Sequence, residues 1–239
     1  MTMTMTIDSA CKTGNLDWLK AQKAAGTLGE VTVSGNRSVQ LAAANGHLDI
    51  VKWLVLESEL AVDVTAKDNM AIRVAATNGH LDIIKWLVKD YGDWVTAKKL
   101  EDPSFTGQAV DVTTDGNCAV RFAAYTGHLN VVRWLVEESG QAVDVTAMDN
   151  WAVKHAAANE YLDTVRWLVE MSNQSVDCRD CMMWKVDFRR FESWPAESQR
   201  YLRLVGKLQD VLGLEDWKTG LEHQLSNKCL QNHRQKPKI

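Results

Sequence analysis

Apolar residues recur along this chain at the spacing of an α-helix. Over residues 81–89 they fall on one helical face, at Leu81, Ile84, Leu87 and Val88. An alanine-rich segment, residues 71–77, precedes this face, and Asn78-Gly79 separates the two. Glycine adopts the left-handed conformation that ends a helix without a Cβ clash. The pattern therefore predicts two helices, a short one and a longer one, separated by an Asn-Gly stop.

This two-helix pattern is repeated along the chain. Intervals of 33, 48 and 33 residues separate the equivalent positions Gly46, Gly79, Gly127 and Glu160. The longer interval exceeds the period by 15 residues, so an insertion at about residues 89–108 precedes the third copy. A weaker copy around Gly14 precedes the first one. Because one such unit cannot bury its own apolar face, the sequence predicts that neighbouring units stack.

The residues of the repeat resemble a known family. The motif Ala-Ala-x-x-Gly-His-Leu-x-x-Val-Lys-x-Leu at a 33-residue period is similar to the ankyrin repeat over roughly residues 7–175. The family's Thr-Pro-Leu-His is replaced here, as in Met70-Ala-Ile-Arg73, and the connector before the first helix is about three residues shorter. This short-connector variant resembles the arrays of protists and large DNA viruses. The resemblance implies an all-α solenoid of stacked helix pairs that binds other proteins.

The repeat boundaries divide the chain into four parts. We expect an N-terminal capping repeat at residues 1–30, four ankyrin repeats at 31–175 with the insertion at about 89–108, a divergent helical cap at 176–217 and a basic tail at 218–239. The tail carries five basic residues and one acid, whereas the whole chain has a formal net charge of -4. We expect residues 228–239 to become ordered only against an acidic surface.

Composition and charge narrow the range of functions. A net charge of -4 and a pI near 5.9 give no general attraction to nucleic acid or to an anionic membrane. No apolar run approaches the roughly 20 residues that cross a bilayer, and the first residues lack a secretory signal. Five cysteines at irregular positions argue against a secreted disulfide framework. We expect an intracellular, cytoplasmic protein without membrane insertion, whose partner is neither nucleic acid nor a small-molecule substrate.

Histidine and tryptophan recur at fixed repeat positions. His47, His80 and His128 could serve metal or acid–base chemistry, or could tie neighbouring repeats by hydrogen bonds as the resemblance implies. Successive repeats lie roughly 10 Å apart, too far for these histidines to share an ion with ligands at about 2 Å, and we expect the structural role. Tryptophan also recurs once per repeat, and we expect it to pack inside the array. These tryptophans are Trp53, Trp86, Trp134 and Trp167.

The only metal-like motif of the sequence lies near its C-terminus. Cys178-x-x-Cys181 could be completed to four zinc ligands by Cys229 and His233, although the two pairs lie farther apart than in common zinc modules. The alternative function is therefore a zinc-dependent or nucleic-acid-contacting adaptor built on these residues and the basic tail. The chain has no phosphate-binding loop, nucleophile elbow or His-Glu-x-x-His helix, and we expect no cofactor and no enzymatic activity.

Positions that vary within the constant repeat indicate a recognition surface. In ankyrin proteins the connector tips and first helices line the concave face that grips a partner, which implies contacts from two variable columns. The first column comprises Arg37, Met70, Cys118 and Trp151. The second, basic column comprises Arg73, Arg121 and Lys154, preceded by Gln40. Tryptophan and methionine are enriched in interface cores, and simple tolerance of exposed positions is the alternative.

The insertion contains three aromatic residues, among them Trp94 and Phe105. Because mere surface elaboration would be polar, we expect the insertion to project from the array and help to grip the partner. Packing of these aromatic residues onto adjacent helices is the alternative. The sequence as a whole predicts a non-enzymatic protein–protein interaction scaffold, either an adaptor or an accessory subunit of a larger assembly.

Overall fold

The structure, a computed structural model, describes residues 5–28, 36–60, 62–159 and 161–172. These residues belong to one of the two compact units of the chain, and the other unit lies outside the described residues. Within the described ranges the chain forms eleven α-helices and one π-helical turn, with no strand. The helices are α1 (Ile7–Thr13), α2 (Leu16–Ala24), α3 (Arg37–Ala44), α4 (Leu48–Leu56), α5 (Ala66–Thr77), α6 (Leu81–Lys85), α7 (Tyr91–Glu101), α8 (Thr114–Tyr125), α9 (Leu129–Glu137), α10 (Ala147–Ala158) and α11 (Leu162–Ser172).

The helices form five successive pairs. The first helices of the pairs, α1, α3, α5, α8 and α10, pack against one another in chain order, and each contacts the second helix of its own pair. Alanines such as Ala42, Ala75 and Ala123 are fully buried between them, and their small side chains let neighbouring helices approach closely. Larger apolar residues such as Ile50 and Leu87 fill the core from the second-helix layer. The predicted all-α ankyrin solenoid is thereby confirmed.

Each repeat is locked to the next by a glycine and a ring. Gly46 ends its turn at a φ of +80°, and a Cβ at this position would lie 2.8 Å from Cε1 of His80 in the following repeat. The His80 ring therefore occupies the space that a side chain would need, and its Nε2 donates to the Ala44 carbonyl over 3.1 Å. His47 makes the equivalent bond to the Lys12 carbonyl, also at 3.1 Å. The predicted structural role of these two histidines is confirmed.

The recurring tryptophans also lie where the sequence predicts. All four are at most 8% exposed, so they belong to the core. These buried tryptophans are Trp53, Trp86, Trp134 and Trp167.

A left-handed turn opens the first helix in three of the repeats. Residues 67–69, 115–117 and 148–150 each have three consecutive φ values between +50° and +60°. Non-glycine residues in this conformation cost about 1–2 kcal/mol each, and only Gly116 among the nine is a glycine. The shortened connector noted in the sequence therefore ends in strained backbone that other contacts must hold.

Asparagine side chains supply part of that support. Asn117 is the last residue of one such turn, and Asn36 occupies the equivalent position before α3. The Oδ1 of each accepts a hydrogen bond from the backbone N–H of the aspartate 27 residues later, at 2.9 Å for Asn36 and 3.0 Å for Asn117. The carboxylates of the same two aspartates, Asp63 and Asp144, fold the connector by accepting from the backbone N–H and the hydroxyl of the threonine two residues on. Each turn is thus fastened to the connector of the following repeat.

Asn69 interrupts this series of hydrogen bonds from turn asparagines to connectors, the asparagine ladder. It is 6% exposed, and its Oδ1 has no hydrogen-bond partner, whereas its Nδ2 donates to the Thr114 hydroxyl at 3.3 Å. The insertion lies between Asn69 and the next connector, whose backbone N–H would be the equivalent donor to Oδ1. An unsatisfied buried acceptor costs about 1–3 kcal/mol, so the joint between α5 and α8 is the least satisfied one in the described array.

Replacing Gly46 by alanine should test the glycine–ring contact. Gly46→Ala must both hold a Cβ at positive φ and displace the His80 ring, whereas Gly26→Ala, at a φ of +67° with no atom within 4 Å, meets only the first problem. We expect the Gly46 variant to lose about 1–3 kcal/mol more free energy of unfolding than the Gly26 variant. Urea denaturation followed by circular dichroism measures both, and equal losses would contradict the proposed contact.

Replacing each turn asparagine by glycine should test whether the asparagine ladder is interrupted at Asn69. Glycine tolerates positive φ, so Asn→Gly removes the side-chain hydrogen bond without adding backbone strain. We expect Asn36→Gly and Asn117→Gly to lower the free energy of unfolding by about 1–2 kcal/mol, and Asn69→Gly to change it by no more than about 0.5 kcal/mol. The same denaturation measurement applies to all three variants, and a loss at Asn69 as large as at Asn117 would disprove the interruption.

Candidate partner-binding surface

The first helices present one continuous surface, because α3, α5, α8 and α10 pack side by side. We call the outward residues of these four helices the first-helix face. It contains a groove at the α3–α5 end and an aromatic cluster at the α8–α10 end. Both parts consist of side chains at the variable positions of the repeat.

The groove lies between α3 and α5 and has a volume of about 480 Å³. Its floor is apolar and consists of Leu41, Ala44, Met70 and Val74. Its rim is polar and consists of Arg37, Gln40 and Lys67. The Arg37 side chain is 62% exposed, and its Nε lies 3.3 Å from Oδ2 of Asp8 on α1. The groove therefore combines an apolar floor with a basic rim.

The aromatic cluster joins α8 to α10. Trp151 lies with its ring centroid 5.6 Å from that of Phe122 and 5.9 Å from that of Tyr125. His155 stacks on Trp151 at 3.7 Å, and its Nδ1 lies 2.9 Å from the Trp151 carbonyl oxygen. Tyr125 is 42% exposed. A group of rings that is half open to water offers flat apolar area with little side-chain freedom to lose on binding.

The basic column serves the left-handed turns. Arg121 donates from Nε and Nη2 to the carbonyls of Gly116 and Asp115, both at 2.8 Å, and its guanidinium lies 5.2 Å from the Trp151 ring centroid. Lys154 pairs with Asp149 at 2.7 Å, and Arg73 reaches Asp115 of the next repeat at 3.5 Å. Charged groups of this column therefore pair with aspartates of the turns and donate hydrogen bonds to their carbonyls.

Two of the residues predicted to contact a partner are buried. Arg121 is 6% exposed and Cys118 is 1% exposed, so neither offers a surface to a second protein. Burial is the main cause that raises the pKa of the Cys118 thiol to about 11, and the group is a neutral core residue at physiological pH. Met70, Trp151 and Arg37 from the same column do reach the first-helix face.

The insertion packs onto the array through a helix. The π-helical turn Trp86–Asp90 continues α6 into α7, and Tyr91 and Val95 of α7 are 3% and 2% exposed. Trp94 stacks on Tyr91, with centroids 5.6 Å apart, and meets Phe105 edge-on at the same distance. Burial, assisted by the Asp63 carboxylate, raises the pKa of Tyr91 to about 12. The expectation of a projecting loop is corrected: the aromatic residues of the insertion found apolar neighbours within the fold.

Lys89 connects the insertion to the repeat that follows. Its ammonium lies 5.3 Å from the ring centroid of Trp134 on α9, which is within the range of a cation–π interaction.

Trp94 and Phe105 are half-buried and contact each other, so they form a second, smaller aromatic group on α7 and the segment after it.

Residues that the sequence had not selected complete the surface. Leu41, Ala44 and Val74 form most of the groove floor, and Phe122 and Tyr125 support Trp151. They occupy columns that vary as much as the selected ones, and their variability is the signal that could have identified them.

The zinc set lies outside the described residues. It comprises Cys178, Cys181, Cys229 and His233. The basic tail and the divergent cap lie there too. Among the residues that the structure describes, no three His, Cys, Asp or Glu side chains form a group that could hold a metal ion. In that same part of the chain, no helix has the length and apolar character needed to cross a membrane.

Stacked helix pairs that share one exposed face define a helical-repeat solenoid. A family model that describes three copies of the ankyrin repeat matches residues 7–99 and again residues 94–180. The chain belongs to the ankyrin repeat family, whose repeats are protein–protein interaction domains. A comparison with curated proteins finds no match.

Substitutions on α7 should show that the insertion belongs to the core. Tyr91→Ala removes a buried ring and should lower the free energy of unfolding by about 3–5 kcal/mol. Leu100→Ala, on the same helix at 81% exposure, should change it by no more than about 0.5 kcal/mol. Chemical denaturation of both variants checks this difference. A Tyr91 variant as stable as the Leu100 variant would show that α7 is a detachable appendage.

Proposed function

We propose that this protein is a non-enzymatic scaffold, an adaptor or an accessory subunit of a larger assembly, and that the first-helix face holds its partner. The observation that carries the proposal is the exposed aromatic cluster of α8 and α10. Tyr125 and Trp151 present ring surface to water, and aromatic side chains of this kind dominate the binding energy of protein interfaces.

The groove supports the same assignment. It lies on the same face as the cluster, and α5 and α8 join the two regions directly. A partner that covers both would bury an apolar floor at one end and a set of rings at the other, with the Arg73–Asp115 ion pair between them. Apolar and aromatic side chains next to polar groups are usual components of such an interface.

A cytoplasmic location and a protein as partner complete the proposal. Cys11 and Cys118 are unpaired and buried, and a reducing compartment suits such thiols. The alternative, a zinc-dependent or nucleic-acid-contacting adaptor, rests on the sequence of Cys178, Cys181, Cys229 and His233 and on the tail. Metal analysis of the purified full chain, together with a salt-dependent nucleic-acid binding assay, distinguishes the two functions.

Tyr125→Ala should weaken partner binding without unfolding the array. The full chain serves as bait in an extract of its native source, the captured partner is identified by mass spectrometry, and its Kd is then measured with purified components. We expect the Tyr125 variant to raise the Kd at least roughly tenfold. Leu56→Ala is the matched control, because Leu56 is 46% exposed on α4, in the second-helix layer.

The control should leave the Kd within about twofold of the unmodified protein, since exposed residues outside an interface contribute little. Equal binding by the Tyr125 and Leu56 variants would remove the aromatic cluster from the interface. Turnover of a substrate by the purified chain would instead refute the non-enzymatic assignment.

A further inference from the structure

We propose that the groove between α3 and α5 selects a protein segment that carries an apolar side chain beside a carboxylate. This inference rests on the proposed function and deepens it, because it names the chemistry of the partner that one end of the first-helix face accepts.

The apolar half of the proposal comes from the groove floor. Leu41, Ala44, Met70 and Val74 supply only hydrocarbon and a thioether to a volume of about 480 Å³. Such a lining offers no hydrogen-bond partner to a polar group, so a polar side chain placed there would lose its water without compensation. Methionine adapts its shape to different apolar occupants. The floor therefore favours an aliphatic or aromatic anchor.

The acidic half comes from the rim. Arg37 and Lys67 both border the groove, and among the residues that the structure describes no acidic side chain lines it. Arg37 uses Nε toward Asp8, while a guanidinium has five N–H donors in a planar fork that matches a carboxylate. An incoming Asp or Glu can thus pair with Arg37 next to the anchor. Charge-assisted bonds of this kind are the strong ones at an interface.

The charge of the remaining protein makes this selection local. The chain carries a formal net charge of -4, so an acidic segment is not attracted to it in general. Attraction at one basic rim on an acidic protein fixes where and in which register the segment binds. A basic segment would instead bring a like charge next to the Arg37 guanidinium, which discriminates against it.

A random dodecapeptide display library, selected against the full-length folded chain, tests the proposal. Peptides enriched on the unmodified protein should carry Asp or Glu close to Leu, Ile, Met or Phe. A peptide synthesised from the enriched pool should lose roughly tenfold in affinity when its acid becomes the corresponding amide, and a similar amount when its apolar residue becomes serine.

Charge substitutions on the protein locate the effect. Arg37→Glu should weaken the selected peptide at least roughly tenfold, and Arg37→Gln, which places no new carboxylate beside Asp8, should weaken it severalfold. Lys52→Glu is the matched control: it makes the same charge change at an exposed position of α4, and binding should stay within about twofold. Circular dichroism verifies that each variant is folded.

Three results would overturn the proposal. The enriched pool could lack acidic residues, no pool could be enriched at all, or the Arg37 and Lys52 variants could bind equally. These failures are separate from failure of the scaffold function. If Tyr125→Ala abolishes binding of the native partner while the peptides show no acidic preference, the interface stands and the groove chemistry is wrong.

Discussion

The contact between a glycine and the ring of the following repeat sets the geometry on which the array depends. At Gly14, Gly46 and Gly79 the space of a missing Cβ is filled by a histidine of the next unit, and at Gly127 it is filled by Tyr161. This close approach fixes the spacing of consecutive turns. The first helices then meet at a distance that alanine side chains can fill, and the residues on their outer side form one surface.

Strain at the left-handed turns accounts for the contacts that several polar and charged side chains make with them. A turn of three such residues costs a few kcal/mol, at about 1–2 kcal/mol per non-glycine residue. Arg121 binds two carbonyls of its turn, Lys154 pairs with Asp149, and Asn117 holds the next connector. These contacts rigidify the turns and leave recognition to the neighbouring positions, where the groove and the aromatic cluster lie.

The sequence predicted the repeats well because a 33-residue period and a helical apolar pattern report directly on burial. It predicted the tryptophan core for the same reason, whereas the histidine bonds were implied by the resemblance to the ankyrin repeat. The left-handed turns were not predictable, since Lys67 and Met148 have no intrinsic preference for positive φ. Column position also does not determine exposure: Met70 and Trp151 reach the first-helix face, whereas the shorter Cys118 is covered. The aromatic residues of the insertion were recognised, but whether they pack or project depends on neighbours that only the fold supplies.

The insertion also lies in sequence between α5 and α8, the two helices at the middle of the first-helix face. It interrupts the asparagine ladder at Asn69, so α5 and α8 are joined there by a 3.3 Å bond to Thr114 and the exposed Arg73–Asp115 pair. The packing of α7 and the Lys89–Trp134 contact add support behind this joint. The groove lies on one side of the joint and the aromatic cluster on the other. A partner that spans both sides binds only the joined arrangement, and its binding energy therefore stabilises the junction that contains the unsatisfied Asn69 acceptor.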